Sequence, residues 1–271
     1  MLNKLSLTIL LFALGALYSN CANAEAGDPL TDRFSLSLGG FLLNTKTEVR
    51  VDGESSQGTV IDLENEFGFD DIDRFRIDGY WRFTPRQKIR VMYFDTKRTE
   101  NTSIDRDIVF RDQVYTVNTD IRTTFDTTVA ELAYEFAILR GENYEVGASI
   151  GIHNLKFRLG LDVTGNNVNL SESRTAEANG PLPMIGLSGT WKINDKFYFQ
   201  ALAQFFRINY DPYDGRLSDL SASFIWQAFQ HVGFGVGYND FTTRVDVDDD
   251  NFTGRLKWRY GGARIFLTAS F

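Results

Sequence analysis

Apolar residues recur at every second position from residue 33 to the C terminus, and no stretch carries the 3.6-residue period of a long amphipathic helix. A period of two marks strands whose two faces meet different surroundings. Residues 74–83 are the plainest case: Phe75, Ile77, Trp81 and Phe83 share one face, and Arg74, Arg76, Asp78, Tyr80 and Arg82 share the other. Read this way throughout, the chain predicts ten strands, over residues 34–51, 74–83, 88–98, 119–139, 144–163, 181–192, 197–210, 217–229, 232–247 and 255–271. Eight or twelve strands stay open as alternatives, because residues 59–63 and 104–117 have room for a further hairpin.

The connections divide into two kinds. Those after the second, fourth, sixth and eighth strands are short, as at Thr84-Pro85-Arg86-Gln87, where the proline favours a turn. Those after the first, third, fifth and ninth are long or polar. Short and long in alternation is the asymmetry of bacterial membrane barrels, with both termini on the short-turn side.

Several strands also switch their apolar phase about eight to ten residues from the short-turn end, close to the length a tilted strand needs to cross a bilayer. Tyr144, Val146, Ala148, Ile150 and Ile152 give way to Leu155, Phe157, Leu159 and Leu161; similar switches fall near Val129-Ala130, Phe205-Phe206, Asn239-Asp240 and Gly261-Gly262. They predict bulges, or strands that leave the bilayer and continue as an outer rim. Aromatic residues gather near both ends of the strands. Trp81, Phe83, Phe136, Tyr144, Trp191, Phe197, Phe199, Trp226 and Phe271 predict one interfacial belt. Tyr210, Tyr213, Tyr238, Phe241, Trp258 and Tyr260 predict the other.

The final strand places Ala263, Ile265, Leu267, Ala269 and Phe271 on one face, and the sequence stops on that phenylalanine. Ile265, Leu267 and Phe271 resemble the C-terminal insertion signal of bacterial outer-membrane β-barrels. Residues 33–271 as a whole are similar to the small single-chain outer-membrane barrels, broadly the OmpA/OmpW-like group. The resemblance implies an all-β, closed antiparallel up-and-down transmembrane β-barrel in the outer membrane of a Gram-negative bacterium. It transfers no functional residue.

Composition adjusts this picture in two places. A mean hydropathy of -0.23 would suit a soluble protein, but in a barrel only alternate residues meet lipid and the average looks hydrophilic. With 28 Lys+Arg against 36 Asp+Glu, the net charge of -8 argues against nucleic acid as a partner. At the N terminus, Lys4, the apolar run 5–18 and Ala22-Asn23-Ala24 read as a secretory signal peptide, residues 1–24. The run is too short to span as a helix. Tyr18-Ser19-Asn20 before Cys21 lacks the usual lipoprotein pattern. Cleavage leaves residues 25–271 as the barrel domain and removes the single cysteine, so no disulfide is expected.

Candidate chemistry lies on the lumen side. The expected lumen-facing charges are Arg74, Arg76, Asp78, Arg82, Glu131, Glu135, Arg255, Lys257 and Arg259. Mixed signs at close range imply a salt-bridged filling over an open pore. Gly147, Gly151, Gly233, Gly235 and Gly237 face the same way and leave either a narrow water path or, as we prefer, tight packing. Of the two histidines, His153 lacks the His-x-Ser spacing of lipid A deacylase barrels, and His231 falls in a short turn on the side away from that substrate. No catalytic residue, cofactor or metal ligand is therefore assigned. Asp246, Asp248 and Asp250 have the spacing of a calcium loop, but Asn251 and Lys257 replace its Gly and Glu. The acidic amphipathic segment 61–71 is read as a loop, with folding over the barrel mouth as the alternative. The expected function is that of a non-enzymatic barrel, structural or a narrow passive channel for small solutes. A lipid A-modifying enzyme and a surface adhesion or receptor barrel are the alternatives. The expected partners are outer-membrane lipid, lipopolysaccharide and the barrel assembly machinery, with the chain a monomer.

Overall fold

The computed structural model describes residues 27–70, 72–163, 174–210, 213–249 and 252–271; the expected signal peptide lies outside them. Its strands are β1 (Phe34–Val51), β2 (Ile61–Asp62), β3 (Ile72–Thr84), β4 (Gln87–Ser103), β5 (Ile108–Phe110), β6 (Gln113–Tyr115) and β7 (Asp120–Arg140). They continue as β8 (Tyr144–Val163), β9 (Arg174–Asn194), β10 (Phe197–Tyr210), β11 (Tyr213–Gln227), β12 (Val232–Asp249) and β13 (Phe252–Ser270), with one short helix, α1 (Leu63–Phe67), after β2. Ten strands, β1, β3, β4 and β7 to β13, each pair antiparallel with the next. The last pairs with the first, from Ser35↔Ser270 to Val51↔Gly254, so the sheet closes on itself as a barrel. The further hairpin left open as an alternative within residues 104–117 exists as β5–β6, but it forms its own two-stranded sheet outside the wall.

The phase switches have a cause that differs from a bulge. Along β7 the odd residues Ile121 to Ala137 face inward without interruption. At the short-turn end the apolar residues are the outward ones, Leu132, Tyr134 and Phe136; beyond Ala130 they are the inward ones, Ile121, Phe125 and Val129. Register shifts occur beside the short turns, at Arg82/Thr84, Ala137/Leu139 and Phe197/Tyr198, and none is found at a switch. The strand thus keeps its alternation while its surroundings exchange. Near the short turns hydrocarbon lies outside and the lumen is polar. Past the switch water lies outside and the interior is an apolar core, as in a soluble barrel.

That exchange corrects two expectations. Arg255, Lys257 and Arg259 on β13 face outward, where they pair with Asp246, Glu48 and Asp240; the inward neighbours are Leu256, Trp258 and Tyr260. The second aromatic belt is likewise core in part, since Phe241, Trp258 and Tyr260 are fully buried. The outward aromatics at that level are Phe75, Tyr93, Phe205 and Tyr238. The first belt stands where expected, with Trp81, Phe136, Tyr144, Trp191, Phe199 and Trp226 all exposed on the outer wall. Ile265 and Leu267 also face outward.

The acidic segment folds over the mouth. Leu63 and Phe67 of α1, with Phe69 after it, are buried in the apolar core together with Ile108, Phe110 and Tyr115 of the hairpin. Asp62 caps α1 by accepting from Asn65 N, and Gly68 ends it at φ 71, a left-handed position that suits glycine. β3 and β4 part beyond Ile77↔Tyr93, and this segment occupies the gap, held by Arg98 through Glu64 (2.6 Å), Thr45 and Thr47. The acidic run at 246–249 lies within β12, paired with β13 as far as Asp249↔Phe252; residues 250–251, with the Asp250 of the candidate calcium spacing, lie outside the described residues. Asp246 is shared by Arg244 and Arg255.

One clasp joins the outer segments. Arg111 and Asp112, the two central residues of the β5–β6 turn, both have positive φ, as an I′ hairpin turn requires. The Asp112 carboxylate accepts from Ser56 Oγ (2.8 Å), Ser55 N and Oγ (both 3.1 Å) and Glu54 N (2.6 Å). These bonds, the Ser56 hydroxyl foremost, hold its pKa down at about 2 against an ordinary 3.8. The folded carboxyl titrates below the unfolded one. The clasp therefore contributes fully above the unfolded value and is lost as pH falls toward 2. Amide-exchange protection at Glu54 and Ser55 should fall over that window, and Asp112→Asn should remove the pH dependence.

Candidate functional site: a plugged lumen around one buried histidine

Inward parity brings the charged residues of six strands into one file along the lumen. At the short-turn end Glu145 (2% exposed side chain) is reached by Arg82 and Lys88, each at 2.7 Å, and by Arg140 at 3.7 Å. Next, Glu135 takes Lys88 at 2.7 Å and Arg90 at 3.2 Å. Glu131 then takes Arg90 at 3.1 Å and Gln204 at 2.9 Å. At the level of the apolar core Asn239 donates to Asp219 (2.5 Å) and accepts from Arg76 (2.5 Å). Arg76 also pairs with Asp78 (2.7 Å), which Arg264 shares at 3.2 Å. Desolvated charges persist only when paired in this way, because an uncompensated one costs several kcal/mol, on the order of 3–5.

The file ends on a cork. Residues 27–33 lie across the short-turn mouth, with Leu30 buried. Arg82 donates to Pro29 O (3.1 Å), Arg140 to Leu30 O (2.6 Å) and Lys192 to Asp28 (3.1 Å). Gly27 N bonds Gln230 O, and Arg33 N bonds Phe271 O at 2.6 Å. Between the cork and the apolar core lies a cavity of about 140 Å³ among Ser35, Ser37, Ser188, Gln200, Ser221 and Arg90, enough for a few waters. The inward glycines are packed and open no path: a Cβ on Gly235 would strike the Phe266 ring, and one on Gly151 the Leu132 carbonyl.

His153 sits at the boundary between the two halves, fully buried, with Nε2 3.4 Å from Glu131 and 4.0 Å from Asp219. Phe241 lies edge-on at 5.9 Å. Glu131, His153 and Asp219 each present one ligand atom within 4.8 Å of the others, a spacing a metal ion could use. Yet Arg76 and Arg90 already face the same group and balance its two carboxylates, so a divalent cation would add charge without a counter-charge. Among the described residues neither ring nitrogen bonds a hydroxyl. His231 has a structural post at the short-turn end: Nδ1 is 3.0 Å from Ser270 O, and the ring stacks on Phe271 at 4.8 Å.

Of the charges expected in the lumen, Arg76, Asp78, Arg82, Glu131 and Glu135 are in the file. Arg74 faces inward but bonds Lys97 O at 2.9 Å on the outer side of the switch. Arg255, Lys257 and Arg259 are on the far surface. The sequence reading missed Lys88, Arg90, Glu145 and Asp219. Parity carried over from the neighbouring strands would have found each of them, since all four alternate with lipid-facing apolar residues.

No family model and no curated protein sequence matches the chain. Solved structures do. The outer-membrane protease OmpT from Escherichia coli matches with a TM-score of 0.56 at 13% identity, over 88% of this chain and 96% of that one. Ail, the attachment invasion locus protein of Yersinia pestis, matches at 0.35 and 12%, over 85% and 97%. The Pseudomonas putida toluene transporter TodX matches at 0.35 and 8%, over 89% and 91%. At these identities the likeness is one of fold: this chain is a closed ten-stranded antiparallel transmembrane β-barrel of the kind found in bacterial outer membranes.

Proposed function

We propose that this chain is a non-enzymatic outer-membrane barrel that works as a closed envelope element and does not conduct. One observation carries the reading: the lumen is stopped three times along its axis, by the 27–33 cork, by the Glu145–Glu135–Glu131 charge file and by the apolar core capped by α1. The passive-channel reading needs a continuous water path, and the packed inward glycines offer none. A lipid A-modifying activity needs a reactive group at the outer leaflet, whereas His153 is buried inside the wall. In this reading the exposed apolar belt meets outer-membrane lipid and the outward cations meet lipopolysaccharide phosphates. The assembly machinery inserts the chain by its last strand, and the chain is a monomer.

Planar-bilayer recording of the purified protein is the test. Silent traces are expected from protein that shows the compact, heat-modifiable gel mobility of an inserted barrel. Discrete conductance steps from the same preparation would reverse the proposal in favour of a channel.

A further inference from the structure

The wall parts in a second place, between β9 and β10. β9 stays paired with β8 as far as Leu161↔Arg174, and β10 stays paired with β11 as far as Tyr210↔Tyr213. Between β9 and β10 the ladder stops much earlier, at Phe205↔Ile185. Beyond it residues 174–184 and 206–210 each run on with one unpaired edge. Pro181 and Pro183 lie on that stretch of β9; proline brings no N–H to a ladder and is confined to strand edges. The parting of β3 and β4 is filled by α1 and β2, but no described element occupies this second one.

Behind the seam is a cavity of about 380 Å³, bounded by Leu155, Phe157, Leu182, Phe206, Val247 and Leu256. Gly180 faces into it, and a Cβ there would meet nothing within 4 Å. The volume lies at the low end of ligand pockets and suits one slender apolar group. The seam begins where the lipid-facing belt ends, since Ile152, Ile185 and Phe205 are exposed just below it. Directly above Phe205, on the outer surface beside the seam, Arg207 stands opposite Arg216 in the β10–β11 ladder, and both are exposed. Like charges face to face are unfavourable unless an anion joins them, and among the described residues neither makes an ion pair.

We propose that this chamber binds one acyl chain of an anionic amphiphile at the membrane surface. The chain passes through the β9–β10 seam into the cavity, and the head group rests outside against Arg207 and Arg216. The proposal rests on the membrane-spanning placement given above. It adds a binding site to a barrel whose axis is shut.

The test uses a variant with Trp81, Trp191 and Trp226 changed to Phe, leaving Trp258, whose ring is 5.4 Å from the cavity wall at Phe157. In one arm the inserted protein is titrated with mid-chain dibrominated stearate; in the other it is placed in phosphatidylcholine vesicles doped with dibrominated phosphatidylglycerol. Saturable loss of Trp258 emission is expected in the first arm if a free fatty acid is the occupant, and in the second if it is a bilayer lipid. Gly180→Phe fills the cavity and should abolish the loss in either. Joint Arg207→Ala and Arg216→Ala should weaken stearate binding roughly tenfold, about one charge-assisted contact, and leave binding of an uncharged control, the dibrominated stearyl alcohol of the same chain length, unaffected. Native mass spectrometry of the wild type gives a second readout that does not depend on the tryptophan changes. No quenching, quenching without saturation, or quenching unchanged by Gly180→Phe would overturn the site. A wild type without the heat-modifiable shift in vesicles would instead overturn the membrane reading, so the two failures are distinct.

Discussion

Glu145→Ala should be the most damaging single substitution in the lumen, lowering the free energy of unfolding by about 3–5 kcal/mol. Glu145 joins Arg82, Lys88 and Arg140, and its side chain is 2% exposed. Removing it leaves the buried Arg82 guanidinium without its carboxylate, while Lys88 keeps Glu135, and an uncompensated buried charge costs more than the pair itself contributes. It also loosens the cork, because Arg82 and Arg140 hold Pro29 O and Leu30 O. Glu145→Gln keeps an acceptor and should fall between the variant and the wild type. Glu177→Ala is the contrast. The Lys156–Glu177 pair is nearly half exposed at both ends, and its loss should leave the stability close to that of the wild type. Urea unfolding from lipid vesicles, followed by the gel shift of the compact form, separates these outcomes. Equal losses for Glu145→Ala and Glu177→Ala would show that the lumen file is hydrated like a surface.

Trp258→Ala should cost about 3–5 kcal/mol, the range of large-to-small changes in a packed core. Its ring meets Phe94, Phe157, Phe241 and Tyr260, and no part of it is exposed. Trp226→Ala, on the wall beside Phe234, should lose only about 0.5–1.5 kcal/mol for the ring pair, because lipid fills the space. Trp258→Phe should be tolerated, since it keeps a ring and removes an indole N–H that finds no acceptor among the described residues. The comparison asks whether the half of the barrel past the switch is held by burial like a soluble protein. If Trp226→Ala proved the costlier change, the inside-out exchange of surroundings would be wrong.

The strand count, the closure by the last strand and the side of the short turns were legible because each depends on period two and on turn chemistry, both local. The contents of the lumen were half legible. Arg76, Arg82, Glu131 and Glu135 were placed inward because their strands carry apolar neighbours on the other parity. Arg255, Lys257 and Arg259 were misplaced by the same rule. The rule takes apolar to mean outside, and past the switch apolar means inside, as Trp258 and Tyr260 show. Periodicity reports which residues share a face; it does not say which face meets hydrocarbon. The seam was not legible at all, since it depends on how far β10 follows β9, and Pro181 and Pro183 only hint at it.

The cork reverses the order of synthesis. Residues 27–33 are made before every other element of the barrel, yet their partners include Lys192, Gln230 and Phe271, the final residue. They can settle only when the whole circle exists. A protease site engineered into this stretch would therefore be cut in every unfinished molecule and spared in finished ones, giving a chemical stopwatch for completion of the barrel.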